Sequence, residues 1–449
     1  MMTTGCTRWL PIGIATVLHF LVDGLCVCCL YLMVKGLDGS DLLMLFLTYN
    51  VLAFMTQPLT GLWIDRLRYK HAALLTAMGV LTAAVVVYMC AVMWWGLPLF
   101  SAMITAVLLG MGNSVFHVWG GKLTATLTAN DMRGLGIFVS SGVMGLTIGI
   151  LYASLWLMAG MLLLFTLLGA VASRLPATLS PLTSYHSSFS SHYTPHISHP
   201  SSLTTYFFLF AILLFVMLRS FVGEEVSVGV EKQSAVLLLL AATAMIGKAS
   251  GGWIARWCGI SNALVACVGI TAACLMFRVA DNVPLIPVVI GVLAINFTMP
   301  ITLCLANRLL PLHEGLSFGL LAAVLIPGYL LAKSVQLSPY HYFMLSALLL
   351  TIAVEVGMLK LMGERQKKVL IGAVAVNILT NVPLNYFLLT YGNSMSRFVV
   401  GELLVLMVEM LWYFCFVHQW RKAAFYSIIC NATSLLVGIL IQIIVNYSL

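Results

Sequence analysis

Few ionisable side chains interrupt the apolar runs of this chain, and two of them share one helical face near the N-terminus. His19 and Asp23 are four residues apart in HFLVDGLCVCCLY (19–31), so a helix places both on the same side. An ionisable residue inside an apolar run is costly and is a functional hypothesis by default. We therefore expect Asp23, together with His19, to bind and release a proton. A purely structural hydrogen bond is the alternative.

Other polar groups inside apolar runs are candidates for lining a substrate cavity: His117, Arg219, Asn296 and Thr298. Pro300 follows the last two, and a proline within a helix frees a carbonyl that often faces a cavity, although it can also mark a simple kink. Lys122 and Lys248 lie near the ends of apolar runs, where their charged groups can snorkel to the surface. Three acidic residues lie in or near later runs, and the sequence names no partner for them: Glu355, Glu402 and Glu409.

The chain carries no motif for a cofactor, a resident metal or an enzymatic nucleophile. It has no P-loop and no metal-ligand spacing, so we expect no cofactor, no metal and no enzyme activity. Cys26 and Cys29 have CxxC spacing, but in an apolar run they are expected to be small hydrophobic residues. A loose group of histidines could bind a metal, but its irregular spacing favours a solvated segment: His186, His192, His196 and His199.

The elements that carry these residues are predicted to be membrane-spanning helices. The 449 residues are 61% hydrophobic and only 8% charged, with a mean hydropathy of +1.05, and apolar runs of about 20 residues recur along the chain. In lipid the backbone must satisfy its own hydrogen bonds, which predicts an all-α polytopic membrane protein. The expected spans are 9–33, 42–64, 72–95, 98–120, 135–155, 156–173, 204–222, 233–255, 260–279, 284–306, 315–335, 341–361, 369–391, 398–418 and 423–446.

The basic residues and one polar segment indicate how the spans are organised. Most Lys and Arg residues fall in the loops of one side, which predicts that this side, including the N-terminus, is cytoplasmic. The same bias explains the net charge of +8 without a nucleic-acid partner. We expect the protein to lie in the plasma (inner) membrane. The stretch 174–203 is rich in Ser, Thr, Pro and His and reads as a flexible cytoplasmic linker. It separates six spans (1–173) from six more (204–364), and additional helices of unknown role follow (365–449). We expect a monomer.

Two short stretches indicate that the six-span halves are repeats. GLWIDRLRYK (61–70) ends the second span, and GGWIARWCG (251–259) ends the eighth, so that Gly61 matches Gly251 and Arg66 matches Arg256. The first stretch resembles the loop motif G-x-x-x-D-R/K-x-G-R/K-R/K of the major facilitator superfamily. Four positions match that motif, although Arg68 stands where the family has glycine: Gly61, Asp65, Arg66 and Lys70. In the second stretch Ala255 replaces the acid.

This resemblance implies two six-helix repeats that alternate between two open states, with the charged loop as a gate. Asp65 can meet a helix N-terminus or a basic partner only while the cytoplasmic side is closed. Positive-inside anchoring explains the basic residues of the motif but does not explain Asp65.

Further stretches are similar to the fosmidomycin-resistance-like branch of that superfamily. They are HFLVDGLCVCCLY (19–31), GNSVFHVWGGKL (112–123), the glycine-rich GIFVSSGVMGLTIG (136–149) and MPITLCLANRLLP…EGLSFGL (299–320), with Val118 where the branch has proline. The resemblance implies a secondary transporter that exports a small organic or drug-like molecule in exchange for protons. The alternative is a membrane sensor or scaffold that keeps the fold without transporting.

Overall fold

The computed structural model describes residues 3–34, 37, 39–67, 71–94, 99–175, 202–227, 233–277, 284–334, 339–391 and 395–448. Every regular element within these ranges is a helix. Most of the expected linker lies outside the described residues, which include only its positions 174–175 and 202–203. The four histidines of the linker and Lys70 of the loop motif also lie outside them.

Six helices precede the expected linker. They are α1 (Thr3–Val34), α2 (Gly39–Arg66), α3 (His71–Trp94), α4 (Leu99–Thr128), α5 (Met132–Leu151) and α6 (Leu155–Arg174). Within α2 the segment Val51–Met55 is a π-helical turn, and α5 is broken at Ser141 into two shorter segments.

Nine helices follow. They are α7 (Ser202–Ser227), α8 (Ser234–Cys258), α9 (Ile260–Met276), α10 (Leu285–Leu309), α11 (Glu314–Ser334), α12 (Pro339–Leu361), α13 (Lys367–Tyr391), α14 (Met395–Val417) and α15 (Trp420–Ser448). Among the described residues 14 helices are long and apolar enough to cross a membrane, and α9 is a shorter apolar helix. Each helix coincides with one expected span, so the all-α polytopic fold is confirmed.

The helices pack as two compact units. Unit 1 contains Met1–Val222, Lys232–Trp253 and Met299–Ser334, and unit 2 contains Gly223–Glu231, Ile254–Thr298 and Val335–Leu449. The division at residues 173, 203 and 364 that the sequence suggests stays a prediction.

A glycine seam joins α1 to α5 in unit 1. A Cβ atom on Gly145 would lie only 2.2 Å from the carbonyl oxygen of Phe20, and one on Gly149 would lie 2.6 Å from the carbonyl oxygen of Gly24. Since no side chain fits there, glycine lets the two backbones touch, as expected from the small residues along this span. The hydroxyl of Ser141, at the break in α5, donates to the carbonyl of Thr16 at 2.6 Å. The seam therefore fixes how α5 faces the polar residues of α1.

In unit 2 the last four helices share an apolar core. Residues from α12, α13, α14 and α15 meet in one buried cluster: Val356, Leu359, Val369, Ala373, Tyr413, Ala423, Tyr426 and Cys430. Helix α12 also packs along α9. The terminal helices therefore cover apolar surface of α12 and do not stand apart from it.

Candidate functional site

Two histidines and an aspartate from α1 and α4 meet in the interior of unit 1. The Nε2 atom of His19 lies 3.3 Å from Oδ2 of Asp23, and Nε2 of His117 lies 3.3 Å from Oδ1 of the same carboxylate. His19 and Asp23 are 5% and 8% exposed. The structure thus brings the expected proton pair together with His117, which the sequence offered only as a cavity residue. We call these three residues the His–Asp–His cluster.

The remaining polar atoms of the cluster are held by neighbouring backbone and amide groups. Nδ1 of His19 lies 2.8 Å from the carbonyl oxygen of Phe138, and Nδ1 of His117 lies 2.9 Å from that of Asn113. The side-chain amide of Asn113 donates to Oδ1 of Asp23 at 3.3 Å. A backbone carbonyl accepts the hydrogen of Nδ1, so each Nε2 faces the carboxylate and forms a hydrogen bond with it when the imidazole or the carboxylate carries a proton.

The cluster is tightly enclosed. The ring of His19 stacks on Phe138 with centroids 4.9 Å apart and meets His117 edge-on at 4.6 Å. A Cβ atom on Gly142 would lie 2.2 Å from Oδ2 of Asp23 and 2.6 Å from Nε2 of His19. The glycine seam therefore supports the carboxylate directly, and any substitution at Gly142 reaches the cluster.

The cluster has the residue types for proton exchange and the spacing for a metal ion. One ligand atom from each of the three residues lies within 4.8 Å of the others, which is a spacing that a divalent metal could bridge. In the structure the two Nε2 atoms face the carboxylate at hydrogen-bonding distance, while the carbonyls on both Nδ1 atoms would suit either use. A network in which each polar atom has a partner can pass a proton between imidazole and carboxylate without further atoms.

Two basic side chains of unit 1 face the same region. Lys248 of α8 interacts electrostatically with Asp23 and with Arg219 of α7. Nη1 of Arg219 is buried and has no hydrogen-bond partner among the described residues. A guanidinium carries five donors, and a buried unused donor is costly, so Arg219 is suited to bind an acceptor group of a ligand.

The other two predicted cavity residues belong to α10. The side-chain amide of Asn296 donates to the carbonyl of Val292 at 2.8 Å, and the hydroxyl of Thr298 donates to that of Ile295 at 2.7 Å. Both bonds lie within their own helix. Their role in a cavity stays a prediction.

Asp65 of the loop motif joins α2 to the N-terminus of α11. Its carboxylate accepts hydrogen bonds from the backbone N–H groups of Gly315 at 3.0 Å and Leu316 at 2.9 Å. It also pairs with Nζ of Lys122 at 2.8 Å, and its side chain is 5% exposed. An anion at a helix N-terminus binds the free N–H groups and the positive end of the helix dipole. We call these four residues the Asp65 latch.

Glycines bring α2 and α11 close enough for the latch to form. A Cβ atom on Gly61 would lie 2.3 Å from the carbonyl oxygen of Gly315, and one on Gly319 would lie 2.3 Å from that of Gln57. Gly61 of the motif is therefore a contact residue, whereas Arg66 is exposed to the surroundings.

The second copy of the motif packs on the start of α5, but its chemistry differs. A Cβ atom on Gly252 would lie 2.6 Å from the backbone nitrogen of Arg133. Here the acid comes from α5 itself, because Asp131 caps its own helix by accepting from the N–H of Arg133 at 3.0 Å. At α11 the corresponding His313 provides no side-chain cap, so Asp65 supplies the anion from another helix.

The second copy carries Ala255 in place of an acid. Its Gly251 is buried and its Arg256 is exposed.

The sequence did not identify three partners in these sites. For Lys122 the sequence offered snorkelling as one reading and named no partner, and the structure places it in the ion pair of the latch. Asn113 stands within GNSVFHVWGGKL, four residues before His117, and this i to i+4 spacing was the available signal. Leu316 takes part only through its backbone, which no side-chain pattern reveals.

Comparison with known proteins finds similar folds among solved structures but no matching sequence. No family model and no curated protein sequence matches this chain. Among solved structures, the chain is similar to the E. coli fucose:proton symporter FucP, with a TM-score of 0.55, 12% identity and coverage of 80% of this chain and 100% of the symporter. FucP, described as a major facilitator superfamily transporter in its outward conformation, also matches with a TM-score of 0.54, 12% identity and coverage of 80% of this chain and 100% of that one.

A bacterial homologue of the iron transporter ferroportin, in an outward-facing state, is similar with a TM-score of 0.53, 15% identity and coverage of 79% of this chain and 100% of that one. The chain therefore has the major facilitator fold.

Proposed function

We propose that this protein is a secondary active transporter that exports a small organic or drug-like molecule in exchange for protons. The observation that carries the proposal is the His–Asp–His cluster, a carboxylate held between two imidazoles at a seam where α1 and α5 touch. An ionisable group within a membrane span typically marks an ion or proton pathway. The similarity of the fold to a fucose:proton symporter supports coupling to protons.

In this proposal the two sites have separate tasks. Asp23 binds the proton with help from His19 and His117, and the Asp65 latch stabilises the state in which α2 and α11 are closed on one another. The proposal puts that end and the N-terminus in the cytoplasm, because the basic residues concentrate in the loops of that side. It further takes the protein to be a monomer in the plasma or inner membrane. Arg219 offers its free donor to the substrate.

The relation to the fosmidomycin-resistance-like branch rests on the sequence stretches quoted above and is part of the same proposal. Three residues of the cluster fall within those stretches: His19, Asp23 and His117. Export as the direction of transport depends on that relation.

A compound screen in proteoliposomes tests the proposal against a sensor or scaffold that does not transport. The purified protein is reconstituted, a pooled library is added outside, and the lumen contents are measured by mass spectrometry with and without an imposed pH gradient. A transporter accumulates at least one compound above protein-free liposomes, and collapse of the gradient by an ionophore abolishes the accumulation. Accumulation that ignores the ionophore contradicts proton coupling. Compounds that stabilise the protein but never enter the lumen support the sensor.

A further inference from the structure

Two acidic residues of unit 2 are completely buried among the last four helices, away from the proposed transport residues in the sequence. Glu355 of α12 and Glu409 of α14 are both 0% exposed. Within the described part of the chain, neither carboxylate forms an ion pair with a Lys, Arg or His side chain. Two buried carboxylates without a compensating positive charge are strongly unfavourable in an apolar interior. We call them the carboxylate pair.

Polar side chains from α13 and α15 converge on the carboxylate pair. The amide of Asn377 donates to Oε2 of Glu355 at 2.6 Å, and the hydroxyl of Thr380 donates to Oε1 of Glu409 at 3.4 Å. Asn431 donates its amide to Oε2 of Glu409. Asn377 and Thr380 belong to NILTNVPLN (377–385), a stretch for which the sequence suggested no function. Its polar residues at i and i+3 face one side of α13.

The site contains oxygens that its protein partners leave unused. Oε1 of Glu355 has no hydrogen-bond partner at normal distance, and neither has the hydroxyl of Tyr413. Tyr413 is 0% exposed and belongs to the same buried cluster as Val356, the neighbour of Glu355, and Cys430, whose thiol donates to the backbone carbonyl of Glu355. Buried polar atoms are nearly always satisfied in folded proteins, and unsatisfied oxygens beside two carboxylates indicate a positively charged occupant.

The surrounding titratable groups do not provide that charge. Glu402 of α14 is a third acid that interacts with Glu355, and it adds negative charge. The thiol of Cys430 on α15 and the hydroxyl of Ser434 also face this region and carry no positive charge. Lys360, the basic residue in the last turn of α12, donates instead to Ser261 and Asn262 of unit 2.

We propose that the carboxylate pair, with Tyr413, binds one small monovalent cation, either a proton shared between the two carboxylates or a sodium ion. The two carboxylates accept hydrogen bonds from Asn377 and Thr380 on one face of the same helix, and interacting carboxylates bind protons as one unit. Carboxylate and hydroxyl oxygens together suit a hard cation. The site gives the C-terminal helices an ion-binding role that is separate from the His–Asp–His cluster.

The experiment uses the full-length protein in lipid nanodiscs, with two arms that distinguish the sources of the charge. In the first arm, infrared difference spectra between acidic and alkaline samples report protonated carboxyl groups. In the second arm, thermal unfolding is followed at alkaline pH in NaCl and in N-methylglucamine chloride of equal ionic strength. The variants are Glu355→Gln and Glu409→Gln, and Asp41→Asn is the control because it removes a carboxylate from α2, outside the unit that holds the pair.

A shared proton gives a protonated-carboxyl band that is lost in both variants of the pair and kept in the control. A sodium site gives stabilisation by NaCl that is lost in the same two variants. Tyr413→Phe keeps the ring and is expected to weaken whichever signal is found. It replaces a Glu variant in the test if that variant does not fold. A wild-type protein with no sodium-dependent stabilisation and no carboxyl band sensitive to these substitutions overturns the proposal, because the pair then stays ionised without a cation.

Discussion

Removing the charge of Asp65 should open the Asp65 latch without disrupting the fold. Asp65→Asn keeps one acceptor oxygen, so the variant can retain one of the bonds from Gly315 and Leu316 but loses the other and the ion pair with Lys122. A buried hydrogen bond to a charged group contributes ~1.5–3 kcal/mol, and a helix N-terminus adds ~0.3–1 kcal/mol for a negative charge. We expect the closed state to lose about 2–4 kcal/mol relative to the open state.

This loss has a direct readout in the backbone amides that the latch protects. At about 1.4 kcal/mol per factor of ten, the open-to-closed ratio should rise roughly 30-fold to several hundred-fold. Hydrogen–deuterium exchange, followed by mass spectrometry on peptides that cover 310–322, measures this ratio through the amides of Gly315 and Leu316. Exchange in these peptides should accelerate by a similar factor, while peptides from α12 to α15 should be unchanged.

The matched control is Asp41→Asn, the same chemical change at an acid in the first turn of α2. This variant should leave exchange at 310–322 unaltered. If Asp65→Asn exchanges these amides within about twofold of the wild-type rate, the latch contributes little to closure. The carboxylate would then serve only to pack α2 on α11, and the reasoning from hydrogen bonds to gating would be refuted.

Three further substitutions test the contacts around the sites. Gly145→Ala should lower the free energy of unfolding by ~1–3 kcal/mol because the added methyl group forces α1 away from α5. Gly160→Ala is the control, since the space around Gly160 is open, and it should be neutral or stabilising. Thermal unfolding in detergent compares the two variants, and equal stability would contradict the seam. Lys122→Met should accelerate exchange at 310–322 less than Asp65→Asn does, because both backbone bonds remain; a larger effect would show that the ion pair dominates. Burial raises the pKa of Glu364, but the N–H of Gln366 and the groups of Tyr426 and Lys422 outweigh it and hold that pKa below its usual value of 4.5. Its stabilisation is therefore present above that value and lost as the pH falls through the folded-state pKa. Glu364→Gln should lower the melting temperature at about pH 7, and this deficit should shrink as the pH is lowered below the usual value; a deficit independent of pH would exclude the charge as the cause.

The fold could be predicted from the sequence because each span is a local property of composition. Fifteen apolar stretches became helices at the expected positions, since a backbone in lipid must satisfy its own hydrogen bonds. His19 and Asp23 were also found locally, through their spacing of four on one helix face.

The partners of those residues depend on packing between distant helices, which spacing does not encode. His117 reaches Asp23 only because α4 packs on α1, and Lys122 reaches Asp65 only because α4 packs on α2. For Glu355 and Glu409 the sequence identified the carboxylates but not Asn377 or Tyr413, because an amide or hydroxyl in an apolar run has no distinctive pattern.

Substitution of Asp23 in a transporting system tests the central claim most directly. A compound identified by the proteoliposome screen is followed in wild-type and Asp23→Asn proteins, first with an imposed pH gradient and then as exchange of labelled for unlabelled compound without a gradient. The account predicts that Asp23→Asn no longer concentrates the compound against its gradient but still binds it and exchanges it. Accumulation by Asp23→Asn at the wild-type rate would contradict the account, because the His–Asp–His cluster would then be a structural network and the proton would be coupled elsewhere.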